Sequence, residues 1–382
     1  MNPADAGMGS YPAGSLLAAM RDALRSAPPV ARGGPFPHAW WLHLAGHGML
    51  GVGFDAGGRA SRADWPGIAA LAGVIAHETA HLGLALGWLM NEMLGRFVLG
   101  PFLADDDDCT LLRLMAQGRR IVALAISEPN GGAHPKLLQC SARRHDGQWL
   151  LDGEKSYVSN GPAADAFVVI AVSGENTGRK HFDAFVVDAD APGLSRTQPG
   201  ASAVLPPLGH CGLSLVACPV AEGRRLATCG NAYDLIAKPM RAVEDGLLAS
   251  ALAGAMRAQL EALARGQRGA NPTPATLGSL GALRLELRAI EILAGECARE
   301  LDRHGPGERV ADLNAGVRIV LQRWQASCES LASALGSPGA EFLDLATDVR
   351  AVLGIARRVS ETRHMKAGTG LLSSKEHHEV PA

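Results

Sequence analysis

The sequence predicts an α+β fold in which an N-terminal helical domain, a middle antiparallel β domain or barrel and a C-terminal four-helix bundle follow one another. Two changes of hydrophobic period carry that expectation. Up to about residue 119, and again from about 231, apolar residues recur at helical spacing; between them they fall in short β-rich runs divided by turn formers. These changes set domains at 1–119, 120–225 and 226–363, followed by a polar tail at 364–382 that is expected to fray. A chain of 382 residues with 47% apolar content has enough material for a large interior in two or three layers.

In the first domain a Gly-rich break at 46–58 precedes one long apolar-periodic stretch from Trp65 to Leu99. Ile68, Leu71, Ile75, Leu82, Leu86, Leu89 and Met93 keep helical spacing along it, which reads as one continuous interior helix. Inside it lies His77-Glu78-Thr79-Ala80-His81, the HExxH pattern in which two His bind zinc and the Glu activates its water. A third ligand is missing, because Leu84 and Gly87 occupy the positions where an extended motif would supply one. Glu92 follows His81 by eleven residues, and on a continuous helix that is about 16 Å along the axis, too far to share an ion. The acidic run Asp105–Asp108 reads as a solvated loop. A zinc metallopeptidase is therefore only a remote alternative, no metal is expected, and His77 and His81 become core or interface histidines in need of hydrogen-bond partners.

The middle zone reads IVALAI, LLQCSAR, QWLLDG, KSYVS, AFVVIAV and FDAFVVD, with turns at His145-Asp146-Gly147 and Asp152-Gly153. Connections this tight favour antiparallel pairing, since βαβ crossovers need longer links. Four helical blocks then follow near 231–266, 275–303, 309–335 and 340–363, and short loops between them suit a bundle.

Composition narrows the function classes. A net charge of −2 with both signs dispersed argues against nucleic acid or an anionic membrane as partner. Seven Cys without CxxC pairing read as reduced thiols in a cytoplasmic setting. No signal-peptide pattern opens the sequence, and no run reads as long enough to span a membrane.

Two stretches, AISEPNGG (125–132) and LDGEKSYVSNGPAADAFVVIA (151–171), together resemble the acyl-CoA dehydrogenase family at the family's usual separation. The resemblance covers the order of all three zones. It implies an FAD-dependent acyl-thioester dehydrogenase that removes an α proton while the β hydrogen leaves as hydride to flavin N5, in a homodimer or homotetramer, with a hetero-oligomer also open. Electrons would pass to an electron-transfer flavoprotein. By the same resemblance Ser127 would bond the flavin's pyrimidine edge and Ser159 would lie at N5. Tyr157 would wall the face away from substrate, with Val158 beside it. Arg265 matches the family's Arg-x-x-Phe-Gly turn, which reaches the flavin pyrophosphate across a subunit interface, and Gly336 matches the family's later Gly-rich turn.

Departures are visible as well. Ala133 and His134 stand where the family has Ser and Asp for the CoA portion, which opens the choice between CoA and a carrier protein. Arg268 replaces the family's Phe, and Ser333 its Gln. Such erosion also suits a non-catalytic subunit, or a flavin oxidase or monooxygenase on the same fold. The α proton needs a carboxylate within hydrogen-bond reach. Glu244, in the segment that opens the first bundle helix, falls on the position used by a branched- and long-chain subgroup, with Asp245 beside it in place of Arg. Glu361, near the family's more usual C-terminal site, is the runner-up.

Overall fold

The structure is a computed structural model and describes residues 13–54, 64–103, 109–197, 205–268, 272–336, 338–355 and 357–373. The first domain holds α1 (Ala13–Ser26), α2 (His38–Gly46), α3 (Trp65–Thr79) and α4 (Leu82–Met93). A π-helical turn at Leu94–Leu99, α5 (Gly100–Phe102) and α6 (Cys109–Ala116) complete it.

The expected single helix from Trp65 to Leu99 is instead two. Asp64 caps α3 by accepting the Gly67 N–H at 3.0 Å. The Thr79 hydroxyl ends it, donating to the Ile75 carbonyl at 2.6 Å and accepting the His81 N–H at 3.2 Å. Ala80 then turns left-handed at φ 52°, and His81 stands as the cap of α4. Apolar periodicity runs through this break because both helices are buried, so spacing alone does not reveal it. A second expectation also fails. Leu82–Phe102 is long and apolar enough by composition to cross a membrane, yet 89% of its most apolar stretch is buried inside the protein, as in a core helix.

Glu92, on α4, is fully buried and is spent on structure. It accepts the backbone N–H groups of Gly51 at 2.7 Å and Val52 at 3.1 Å, and Arg96 lies 3.6 Å away. Burial pushes its carboxyl up, against the pull of Arg96 and the two amides.

Seven strands form one sheet: β1 (Val122–Ala125), β2 (Ser141–His145), β3 (Gln148–Ser159), β4 (Ala166–Asn176), β5 (Arg179–Asp188), β6 (Leu194–Thr197) and β7 (His210–Ala221). The order is β1-β4-β2-β3-β7-β6, with β5 on β4. Pairs β2/β3, β3/β7, β4/β5 and β6/β7 are antiparallel as expected, but β1/β4 and the single β2/β4 bridge are parallel. The parallel pair arises because the β2–β3 hairpin is inserted between β1 and β4, which supplies the long connection such pairing needs.

The bundle comprises α7 (Lys238–Gly266), α8 (Pro274–His304), α9 (Glu308–Ala334) and α10 (Ala340–Gly354). The expected 340–363 block is broken at Ile355, which is extended at ψ 137°. A further helix, α11 (Arg357–Ser373), follows, so the first part of the supposed frayed tail is ordered. Arg363 and Lys366 fasten it to α9 through Asp312 at 2.6 Å and Glu308 at 2.8 Å. The rest of the tail and the Asp105–Asp108 run lie outside the described residues.

Where α7 crosses α3, backbone meets backbone. A Cβ on Gly254 would land well inside contact distance of the Gly73 carbonyl, and one on Gly73 would sit 2.9 Å from the Ser250 carbonyl. Neither obstacle is a flexible side chain. Gly254→Ala should therefore cost about 1–3 kcal/mol by forcing the helices apart. A urea midpoint unchanged from the parent would contradict this crossing.

Candidate functional site

The two sequence motifs are joined by the chain itself. The Ser156 N–H donates to the Ser127 carbonyl at 2.8 Å, placing the Ser127–Pro129 turn against β3. Beneath that contact lies Lys155, whose side chain is fully buried. Its ammonium donates to Glu128 at 2.9 Å and to the Ile126 carbonyl at 3.1 Å. Glu128 also accepts the N–H groups of Gln139 at 2.6 Å and Cys140 at 3.0 Å. Sequence reading passed over this buried pair. The available signal was a lysine three residues before Val158 in a strand that otherwise buries apolar groups.

Between Lys155 and Val158 the β3/β7 register shifts by a bulge. Tyr157 occupies the bulge at φ 56°, a conformation that costs a side chain energy, and its ring is 67% exposed. Ser127 and Ser159 flank it, both half-buried. An exposed aromatic between two hydroxyls can serve a planar heteroaromatic ligand, as a wall and as polar partners to its edge. Val158 does not share that role through its side chain, which is buried in the core, so only its backbone is available. The next residue, Asn160, donates to the Gly87 carbonyl at 2.9 Å and ties the bulge to α4.

Ala133 and His134 are exposed on the turn that follows Glu128. The Tyr233 hydroxyl donates to the Ala133 carbonyl at 2.8 Å, and the Tyr233 ring packs on Phe182 at 5.4 Å. Tyr233 begins the π-helical turn Tyr233–Ala237 that leads into α7, so this turn and the start of the bundle adjoin.

A cleft of about 660 Å³ opens along α7, between it, the α8–α9 connection, α9 and the start of α11. Leu248, Leu252, Val317 and Leu321 are among its apolar wall, while Lys238, Arg241, Arg318 and Arg363 bring charge to it. Volume and lining suit an acyl group attached to an anionic carrier. Glu244 lies between Arg241 and Leu248 on the adjoining face of α7. It does not open the helix as the sequence suggested, because α7 starts at Lys238 and Glu244 sits nearly two turns inside, half-buried. No hydrogen bond or ion pair holds its carboxyl among the described residues. Burial pushes that carboxyl above the usual range; Arg241 and Arg318 pull it down, and Asp245 adds to the rise. Asp245 itself accepts from Arg241 Nε at 2.8 Å. Arg318 is pinned by the carbonyls of Val352, Leu353 and Ile355 at 2.9, 2.7 and 2.6 Å. Glu361 is exposed on α11, between the cleft-lining residues Ser360 and Arg363.

Arg265 and Gly336 are brought near each other but not to the other predicted residues. Arg265 pairs with Glu341 at 2.5 Å, and Gly336 takes φ 96° just past the end of α9. From Lys238 to Arg265 is about 40 Å along α7, so they stand at the opposite end of that helix from the Ala133 turn.

The HExxH residues are dispersed by the break after Thr79. His77 Nε2 meets Glu261 at 3.1 Å and Glu78 meets Arg21 at 3.4 Å. The His81 imidazole belongs to the next helix, and burial lowers its pKa, with Arg32 adding to the effect. No group of three or more His, Cys, Asp or Glu side chains suits a metal among the described residues.

A small β domain between a helical domain and a helical bundle, in this connectivity, is the acyl-CoA dehydrogenase fold. A glutaryl-CoA dehydrogenase from Mycobacterium smegmatis, solved in complex with FADH2, shares it with a TM-score of 0.80 over 97% of both chains, at 18% identity. Residues 123–218 match the family model for the acyl-CoA dehydrogenase middle domain. The mitochondrial 2-methylacyl-CoA dehydrogenase of Solanum tuberosum is 38% identical over 84 residues, 22% of this chain and 20% of that protein. Isovaleryl-CoA dehydrogenase of the same plant is 28% identical over 187 residues, 49% of this chain and 45% of its own. The aligned segments thus span less than half the length of these curated relatives. Residues 123–218 thus match the family's middle domain, and the chain as a whole shares the acyl-CoA dehydrogenase fold.

Proposed function

We propose that the protein is an FAD-dependent dehydrogenase that introduces an α,β double bond into an acyl thioester. The observation that carries this reading is Glu244, a half-buried carboxyl of raised pKa with no bond to hold it, on α7 beside the cleft-lining residues Arg241, Asp245 and Leu248. Such a group is a stronger base than a solvated glutamate, and the α proton of a thioester is weakly acidic. The apolar wall excludes water from the acyl chain, and the cationic mouth orients the anionic carrier. Glu244 accepts the α proton at its carboxylate, while Asp245, neutralised by Arg241, is kept from that task.

The residues present fit a flavin: Tyr157 offers an exposed ring, and the half-buried Ser127 and Ser159 bring hydroxyls to the same part of the fold. Bound FAD supplies the acceptor for the β hydrogen and its electron pair. Arg265 and Gly336, a helix length from the Ala133 turn, are suited to a phosphate on a neighbouring copy, so the working unit in this reading is at least a homodimer. An electron-transfer flavoprotein is the natural reoxidant.

The test is exchange of the butyryl-CoA or butyryl-pantetheine α proton with deuterated water, followed by NMR, alongside anaerobic bleaching of the flavin. Both are expected; a yellow protein that does neither ends the proposal. Tyr157→Ala separates cofactor from fold. It should leave the melting temperature within about a degree and weaken FAD binding by up to about tenfold, the worth of one aromatic contact. Equal FAD affinity would remove Tyr157 from the site.

A further inference from the structure

The Ala133–Leu138 segment and the approach to α7 form one continuous surface at the mouth of the cleft. Tyr233 holds the Ala133 carbonyl, Lys180 Nζ donates to the Lys136 carbonyl at 3.1 Å, and Asn231 Nδ2 donates to the Lys180 carbonyl at 3.1 Å. Two leucines protrude here, Leu137 at 53% and Leu235 at 38% exposure. Two exposed ammonium groups accompany them, on Lys136 and Lys238, and neither has an ion-pair partner among the described residues. Arg179, by contrast, is matched by Asp234 at 2.6 Å. The surface is therefore apolar at two points and net positive around them, and Asp234 and Lys238 carry it into the cleft.

We propose that this surface docks an acidic carrier protein, which hands its acyl thioester into the cleft on a phosphopantetheine arm. The proposal rests on the thioester dehydrogenase reading and names its carrier. A nucleotide carrier would be served by fixed donors converging on its phosphates. At Ala133 the side chain is a methyl group, which offers a phosphate no donor. The free cations are instead flexible lysines spaced around exposed leucines. Exposed apolar anchors within a basic rim suit the face of an acidic protein, where charge complementarity sets approach and register.

Turnover of butyryl groups carried on an acidic acyl carrier protein, on CoA and on pantetheine, with a dye as acceptor, tests this. Binding of the unacylated holo-carrier is measured in parallel. The carrier-protein thioester should exceed butyryl-CoA in kcat/KM by about tenfold or more, and the advantage should shrink as salt is raised from about 0.05 to 0.5 M. Lys136→Glu should abolish the advantage and leave butyryl-pantetheine turnover unchanged. An equal or better rate with butyryl-CoA, or an advantage indifferent to Lys136→Glu, overturns the proposal. If none of the thioesters turns over, the dehydrogenase reading falls and docking is judged by holo-carrier binding alone. Binding weakened by Lys136→Glu then upholds the surface, and absence of binding overturns it.

Discussion

Replacement of Glu244 by Gln is expected to slow α-proton exchange and flavin bleaching by about a thousandfold, within the usual worth of a positioned general base. The amide keeps the volume and polarity of the carboxyl, so FAD content and thermal stability should stay near those of the parent. The pH profile gives a second reading. Glu244 acts as base only when ionised, and burial holds its pKa above the ordinary carboxylate range. Activity should therefore fall on the acid side at a higher pH than a solvated glutamate would impose. Arg241 and Arg318 oppose the burial effect, while Asp245 adds to it. Arg241→Ala should thus move the acid limb to still higher pH, and Asp245→Asn should move it lower. If Glu244→Gln retains full exchange while Glu361→Gln loses it, the base lies on α11.

Lys155→Met is expected to cost about 3–5 kcal/mol of stability, because it leaves Glu128 charged and buried without its counter-ion. The side chains of the pair are 0% and 9% exposed, so water offers little relief. Glu128 retains its two backbone donors, which places the expectation nearer the lower figure. The double variant Lys155→Met/Glu128→Gln should recover part of the loss, since it removes both charges. Chemical denaturation of all three variants reads this directly. A loss under about 1 kcal/mol for Lys155→Met would mean that water reaches the pair.

Much of the architecture was legible because it is written in hydrophobic period. Helical spacing before residue 120 and after 231, and short β runs between, located the three zones. Elements whose ends depend on single polar contacts were not legible. The Thr79 hydroxyl breaks a helix that its apolar neighbours continue, and α11 is held by the long-range pairs of Arg363 and Lys366. Parallel pairing of β1 with β4 was hidden for a related reason, since local turns do not report what an inserted hairpin does to its flanks. Ser127, Tyr157 and Ser159 were singled out through two motifs, and the fold brings those motifs into contact. The Lys155–Glu128 pair beneath them was missed, because burial of a charge is a property of the fold around it. HExxH is the converse case: five residues fit a chemical pattern that assumes an unbroken helix, and the backbone at Ala80 removes that assumption.

The length of α7 has a consequence of its own. That helix begins beside the turn bearing Ala133 and ends at Arg265, so it acts as a spacer with a fixed step. Deleting one turn would draw its ends together by about 5 Å and swing the intervening side chains by only a small angle. Loss of a single residue would rotate everything beyond it by about a hundred degrees and turn the Gly254 contact away from α3. Natural or designed variants should therefore tolerate changes of length at the His145–Gly147 hairpin but within α7 accept them only in whole turns. Even those would need a matching change in α3, against which α7 is held backbone to backbone.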